Sequence, residues 1–199
     1  MHSQATAAEQ IRSAVADRYS RIGETPSAED GIPRGRPWAE QLGYPASLLD
    51  SVPPAALASF TGIGAPLLHA DLAAREEVLD LGCGAGLDTI LAARQVGPEG
   101  RVWGIDLAPG MIAAARRAVA EAEVQNVTLL EAPAEHIPLP QQSVDVALVN
   151  GLFNLAPGKD AVAMEVARVL RAGGRLLGAE IVLTDDRPPA ELDLEGWFR

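Results

Sequence analysis

The feature that most constrains the fold is a glycine-rich turn between a short apolar run and a helical segment. The apolar run Glu77–Leu81 leads into Asp80-Leu-Gly-Cys-Gly-Ala-Gly-Leu-Asp88, and Leu87–Val96 is typical of a helix. A short apolar run ended by glycines predicts a buried strand, so strand, turn and helix follow one another here. Glycines in such a turn let a ligand approach the backbone closely, and the start of the helix offers unpaired N–H groups.

The same alternation of strands and helices continues towards the C-terminus. Further strands are predicted at Arg101–Asp106, Val127–Leu130, Val144–Val149 and Arg175–Leu183, and helices at Pro109–Glu123 and Lys159–Leu170, the last with a left-handed cap at Gly173-Gly174. Such alternation predicts right-handed crossovers and a parallel sheet with helices on both faces. The predicted fold class is therefore α/β, a Rossmann-like parallel core of five strands, within a domain that spans residues 67–199.

The first part of the chain, residues 1–66, has a different pattern. Apolar residues at helical spacing predict a helix over Ser3–Ile22, with one apolar stripe that docks on the sheet domain. The following stretch is rich in Gly and Pro, with short helical pieces at Ala46–Asp50 and Pro54–Ser59. We predict that this part forms an N-terminal helix and an irregular segment that covers the sheet domain.

Charge and cysteine content exclude several classes of protein. Lys and Arg number 16 against 27 Asp and Glu, and this acidic balance disfavours nucleic-acid and membrane-surface partners. No apolar run approaches the roughly 20 residues of a membrane span, and no secretory signal is visible. The single cysteine, Cys83, excludes an internal disulfide and a multi-thiolate metal site. We expect a cytoplasmic protein without a metal site.

An acidic residue stands at the end of the second predicted strand. Asp106 lies twenty residues after Gly86, and neighbouring parallel strands end at the same edge of the sheet. A carboxylate at this place can accept hydrogen bonds from both hydroxyls of a ribose. The glycine spacing is G-x-G-x-G, whereas dinucleotide sites favour G-x-G-x-x-G, whose third glycine would stand at Leu87.

This spacing, preceded by Asp80, resembles class I S-adenosylmethionine-dependent methyltransferases. Gly104–Met111 and Ala132–Leu139 are similar to the second and third motifs of that family, and Arg168–Arg175 is similar to its turn into the fifth strand. The resemblance implies the cofactor S-adenosyl-L-methionine and a methyl-transfer enzyme. The cofactor-binding residues that it implies are Tyr19, Asp80, Gly82, Cys83, Gly84, Gly86, Asp88, Asp106, Leu107, Met111, Ala134, Glu135 and Asn150.

The resemblance also implies roles for these residues. The glycine turn would carry the methionine part of the cofactor and Asp106 its ribose, while the residues named after the second and third strands would surround the adenine. Asn150 would face the methyl-transfer side. Two interpretations of Tyr19 stay open: it closes over the cofactor, or it is an aromatic residue of the docking stripe.

A closer likeness is to arsenite methyltransferases and their relatives. It is carried by Leu42–Pro54, Gly62–Pro66, Leu91–Pro98 and Val149–Leu155. That family has cysteines at the positions of Ile63 and Gly151, and thiolates are the soft ligands that trivalent arsenic prefers. Because both cysteines are absent, we expect a small-molecule acceptor other than arsenite.

The acceptor side is predicted from residues near the end of the fourth strand and from the loop before the first. The candidates are Gly62, Gly64, Leu152 and Asn154, beside Asn150, and none of them is an obvious catalytic base. Two other functions stay open at this point. One is a cofactor-binding module without methyl transfer, and the other is a nicotinamide-dependent oxidoreductase.

The segment after the fifth strand is shorter than the family pattern implies. Class I methyltransferases add two antiparallel strands there, but beyond Leu183 the sequence has a Pro-rich turn and an acidic segment ending in Trp197-Phe-Arg199. We expect the hairpin strands to be missing from this chain. An uncovered edge strand favours pairing with other chains, so we expect cover from Trp197 and Phe198 or from a second copy in a homo-oligomer.

Overall fold

A computed structural model describes residues 6–26 and 31–182 of the chain, and its centre is one parallel sheet. The strands are β1 (Glu77–Leu81), β2 (Arg101–Asp106), β3 (Val127–Glu131), β4 (Val144–Asn150) and β5 (Leu170–Ala179). Their order is β3-β2-β1-β4-β5, and all four neighbouring pairs are parallel. The predicted Rossmann-like class is confirmed. The strand order reverses between β1 and β4, and open parallel sheets bind ligands outside the carboxyl ends of strands at such a point.

Helices connect and cover these strands. They are α1 (Ala7–Glu24), α2 (Gly35–Gln41), α3 (Ala46–Leu49), α4 (Pro54–Ala58), α5 (Leu87–Val96), α6 (Pro109–Glu121) and α7 (Lys159–Val169), with a 3-10 turn at Pro66–His69. The sequence-based bounds of β1, β2 and α5 are confirmed. Helix α1 begins later than predicted because Thr6 and Glu9 form a capping box. Helix α2 was not predicted, since seven residues are too few to establish an apolar period.

The two faces of the sheet contact different helices, as the period of two in a strand requires. On one face Val78 of β1 packs with Ile90 of α5. On the other, Leu79 of the same strand belongs to a cluster with Val162 and Val166 of α7. Both faces of the central strands are therefore buried, which explains why β1 and β4 are almost continuously apolar.

The fifth strand corrects one prediction. The sequence predicts a helix cap at Gly173-Gly174 followed by a strand over Arg175–Leu183, but β5 begins at Leu170, directly after α7, and ends at Ala179. Gly173 has the expected positive φ of 82°, yet it lies inside the strand, beside a register shift opposite Val144 and Val146. A bulge needs the same left-handed glycine as a cap, so the local sequence did not distinguish the two.

The N-terminal part shares a core with the sheet domain. Tyr44, Leu49 and Leu57 belong to the same buried cluster as Val78 and Ile90. Residues of the N-terminal part therefore add to the core of the sheet domain, and the boundary at residue 66 stays a prediction. The expected contacts of Trp197 and Phe198 lie outside the described residues.

Helix α1 docks on α6 through two glycines. A Cβ on Gly23 would lie 2.5 Å from the carbonyl oxygen of Gly110, and a Cβ on Gly110 would lie 2.3 Å from that of Ser20. The Gly110 N–H also donates to the Ser20 hydroxyl at 3.2 Å. This close backbone approach fixes the position of α1 above the carboxyl ends of β1 and β2.

Candidate cofactor site

The turn after β1 has the conformation that its glycines permit. Gly82, Gly84 and Gly86 have φ values of 79°, 52° and 91°, in the left-handed region that residues with a Cβ rarely adopt. A Cβ on Gly84 would have no atom within 4 Å beyond its chain neighbours, so this glycine faces open space. The turn therefore presents bare backbone to a cavity at the start of α5.

Asp106, at the end of β2, is tied directly to this turn. Its carboxylate accepts the N–H of Gly84 at 2.9 Å and the N–H of Ala108 at 2.8 Å. Burial raises the pKa of Asp106, and the backbone N–H groups oppose that rise. A carboxylate has about four acceptor sites, so capacity remains for hydroxyl groups of a ligand.

A cavity of about 760 Å³, which includes its part open to solvent, lies between the turn, Asp106 and α1. The predicted residues that line it are Tyr19, Gly82, Gly84, Asp106, Leu107, Met111, Ala134, Glu135, Asn150 and Leu152. Residues from five separate segments thus meet at one place, which we call the main cavity.

A second cavity of about 390 Å³ adjoins the main one beneath the glycine turn. Four predicted residues line this second cavity but not the main one: Gly62, Asp80, Cys83 and Asp88. Burial, together with the nearby charge of Asp88, raises the pKa of Asp80, although the Thr89 hydroxyl donates to its carboxylate. Burial also raises the pKa of the Cys83 thiol.

Asp88 belongs to a buried chain of hydrogen bonds that reaches Tyr44 in the N-terminal part of the molecule. Its carboxylate accepts the Tyr44 hydroxyl at 2.6 Å and the Asn150 amide at 3.3 Å. Burial raises the pKa of Asp88, and these two donors oppose the rise. For Tyr44, burial and the charge of Asp88 raise the pKa of the phenol, so it stays a donor.

Asn150, at the end of β4, is fully committed to the protein. Its Oδ1 accepts the N–H groups of Ile63 and Gly64 at 2.9 and 3.0 Å. Its Nδ2 donates to the Gly64 carbonyl at 2.9 Å and to Asp88. An Asn side chain has two donors and one oxygen with two lone pairs, so these bonds use all of its capacity. Asn150 lines both cavities but holds the loop of residues 61–64, which we call the acceptor loop.

Helix α1 closes one side of the main cavity. Sequence reasoning missed Arg12 and Val15, which line it together with Tyr19. Arg12 Nε lies 3.2 Å from Glu135 Oε1, so this ion pair joins α1 to the segment after β3. Tyr19 borders the main cavity and also packs against the buried cluster of α1 and α6, so its closure over a cofactor stays a prediction.

Three predicted residues lie outside both cavities. Gly86 packs against Ala115 of α6, where a Cβ would find the alanine methyl at 3.5 Å. Gly64 lies against Ala179. Asn154 donates to the Ile181 carbonyl at 2.7 Å. Sequence reasoning also missed Thr61, which lines both cavities and has no motif signal of its own.

Within residues 6–26 and 31–182, no group of three or more His, Cys, Asp or Glu side chains is arranged to hold a metal ion. In the same part of the chain, none of the helices combines the length and hydropathy needed to cross a bilayer.

The sequence profile of the methyltransferase domain family matches residues 72–195, more than half of the chain. Among curated proteins, an arsenite methyltransferase of Halobacterium salinarum is 43% identical over 150 residues, which are 75% of this chain and 38% of that protein. A demethylmenaquinone methyltransferase of Listeria monocytogenes is 39% identical over 100 residues, 50% of this chain and 42% of that protein. The match thus spans less than half the length of these relatives.

A solved structure shows the same similarity. The crystal structure of an arsenic(III) S-adenosylmethionine methyltransferase from Chlamydomonas reinhardtii superposes with a TM-score of 0.58 and 33% sequence identity. The superposition covers 66% of this chain and 46% of that one.

Proposed function

Because the chain belongs to the methyltransferase domain family, within the class I S-adenosylmethionine-dependent methyltransferases, we propose that it transfers a methyl group from S-adenosyl-L-methionine to a small-molecule acceptor other than arsenite. The observation that carries this proposal is the hydrogen bond between Gly84 and Asp106 at the edge of a cavity. It supports the proposal because backbone without a side chain and a carboxylate with free acceptor sites lie beside the same cavity, where one nucleoside would contact both.

The residues present fit the cofactor. Gly84 leaves the space that a Cβ would fill, and Asp106 retains acceptor capacity for ribose hydroxyls. Leu107 and Met111 would flank the adenine on the side of α6, with Ala134 on the other side. The second cavity, with Asp80 and Asp88, would take the charged amino-acid end.

The bound cofactor supplies a methyl group that its sulfonium sulfur already makes electrophilic. The protein therefore needs chiefly to hold donor and acceptor in line, and orientation of this kind supplies roughly 7–11 kcal/mol in favourable cases. Asp106 and the turn would fix the donor. The acceptor loop, held by Asn150, would bound the other side, and α1 would exclude water from above.

An arsenite acceptor is disfavoured by the chemistry of the acceptor loop. A Cβ on Gly151 would lie 3.3 Å from the side chain of Ile63, so the two positions that carry cysteines in the arsenite family face each other here. They present an aliphatic surface without a thiolate. The one thiol of the chain, Cys83, is buried in the glycine turn and its pKa is raised, which opposes thiolate formation.

Calorimetric titration and a turnover assay test the proposal. We expect S-adenosylmethionine to bind and NAD not to bind. With a panel of phenols, a naphthoquinol, amines and arsenite, we expect S-adenosylhomocysteine to form with an organic acceptor and not with arsenite. Binding of NAD alone would contradict the assignment, and cofactor binding without turnover on any acceptor would indicate a binding module instead.

A further inference from the structure

The main and second cavities meet at the glycine turn, and any ligand that extends through both must pass the same few residues. Four residues line both cavities: Thr61, Gly82, Gly84 and Asn150. The two glycines offer only backbone, and Asn150 has no hydrogen-bonding capacity left. Among these four residues, Thr61 is therefore the one whose side chain has hydrogen-bonding capacity for a ligand.

The hydroxyl of Thr61 has unused capacity. Thr61 is half-buried, and among residues 6–26 and 31–182 its hydroxyl has no hydrogen-bond partner. A threonine hydroxyl offers one donor and two acceptor lone pairs. Partial removal from water makes a polar partner on a ligand favourable, because buried polar groups without partners are costly.

The loop that carries Thr61 is held by hydrogen bonds from two other segments of the chain. Trp38 Nε1 donates to the Gly62 carbonyl at 2.7 Å, and Asn150 holds the N–H groups of Ile63 and Gly64. A Cβ on Gly62 would lie 2.5 Å from Asn150 Nδ2, so the loop and the end of β4 are in close contact. The hydroxyl is therefore presented on a preorganised support, and little conformational entropy is lost when it binds a ligand.

The second cavity indicates which part of a ligand reaches Thr61. Asp80, Asp88 and Leu87, the first residue of α5, line this cavity. Carboxyl oxygens accept hydrogen bonds from an ammonium group, and the N–H groups at the start of a helix attract a carboxylate. This combination suits a zwitterionic amino-acid group.

From this arrangement we infer that Thr61 is a cofactor-binding residue whose hydroxyl holds the amino-acid end of S-adenosylmethionine where it passes from the main cavity into the second. The inference rests on the proposed function. One polar contact to the cofactor would then come from the N-terminal part of the chain and not from the glycine turn. It follows that the acceptor loop positions the donor as well as the acceptor.

The test compares two ligands that differ in the amino-acid chain. S-adenosylhomocysteine and 5′-methylthioadenosine are both thioethers of the same nucleoside, but only the first has an amino-acid end. Calorimetric titration of each ligand is carried out with the unmodified protein, Thr61→Val, Thr61→Ser and Thr61→Ala. Thermal unfolding of each variant establishes that it is folded, and Thr61→Ala removes the hydroxyl without adding a methyl group.

We expect Thr61→Val and Thr61→Ala to raise the Kd for S-adenosylhomocysteine by about tenfold, as the loss of a hydrogen bond to a charged group does. We expect Thr61→Ser to stay within about threefold of the unmodified protein, and 5′-methylthioadenosine to bind all four proteins alike. An unchanged Kd for S-adenosylhomocysteine in both hydroxyl-free variants, or an equal loss for the two ligands, would overturn the inference while the proposed function stands. Failure of the unmodified protein to bind S-adenosylhomocysteine would overturn both.

Discussion

The two sides of the main cavity are built in different ways. The side that we propose for the cofactor, called the cofactor side below, consists of the glycine turn and Asp106, and the hydrogen bond that joins them spans 22 residues of sequence. The opposite side consists of α1, the acceptor loop and the end of β4. It is held by bonds from Asn150 to Gly64 across 86 residues and from Arg12 to Glu135 across 123 residues.

This difference predicts whether a substitution changes ligand affinity or stability. On the cofactor side, a single strand-turn-helix unit and its neighbour place the binding groups, so substitutions there should act mainly on ligand affinity. On the opposite side, side chains hold separate segments together, so substitutions there should act mainly on stability and on the position of the cover.

The largest effect is expected for Asn150→Ala, which tests whether the position of the acceptor loop depends on the hydrogen bonds of this side chain. The change leaves the N–H groups of Ile63 and Gly64 without their acceptor. We expect the free energy of unfolding to fall by about 2 kcal/mol, because these two half-buried groups each lose part of the roughly 1–3 kcal/mol that an unsatisfied buried group costs. Urea unfolding measures the loss. Asn154→Ala is the matched control, and an equal loss of stability in the two variants would contradict the proposed role of Asn150 in holding the loop.

The contact of α1 with α6 gives the next effect. In Gly110→Ala the new methyl group would meet the backbone of Ser20 at 2.3 Å, where no side chain can move aside. We expect a loss of about 2 kcal/mol in stability, in the range typical of overpacking, and faster proteolysis within α1. Thermal unfolding and limited proteolysis measure both. Arg116→Ala, at an exposed position of the same helix, should behave like the unmodified protein, and a stable Gly110→Ala would mean that α1 docks less closely.

Asp106→Ala tests the cofactor side directly. We expect it to weaken S-adenosylmethionine binding by more than about 1.5 kcal/mol, since a charge-assisted hydrogen bond to the ribose is lost. The Gly84 N–H also loses its partner. Calorimetry measures the dissociation constant, with Asp160→Ala, exposed on α7, as control. An unchanged constant would refute the role of Asp106.

The smallest effect is expected for Arg12→Ala, which removes the ion pair with Glu135. The two side chains are 33% and 12% exposed, and ion pairs near the surface contribute about 0–1 kcal/mol. We expect cofactor binding to weaken by less than about 1 kcal/mol at low salt, and the difference to vanish at high salt. Arg36→Ala breaks an ion pair with Asp50 away from the cavity and should change binding at neither salt concentration. A large or salt-independent loss would show that Arg12 contacts the ligand.

Most of the sheet domain was predictable because its signals are local. A strand ended by glycines, and helices with an apolar period, are defined within about ten residues, so β1, β2 and α5 were predicted with their observed bounds. The β5 prediction was wrong at its start because a left-handed glycine serves a bulge as well as a cap.

Spacing along the chain is enough to predict the class of fold, the glycine turn and the carboxylate that follows the second strand. Three relations follow only from the packed structure: Asn150 holds the acceptor loop by hydrogen bonds, Thr61 lies at the junction of two cavities, and Ile63 faces Gly151. These relations join segments far apart in the chain. They depend on how the segments pack together, and no local pattern of residue types specifies that.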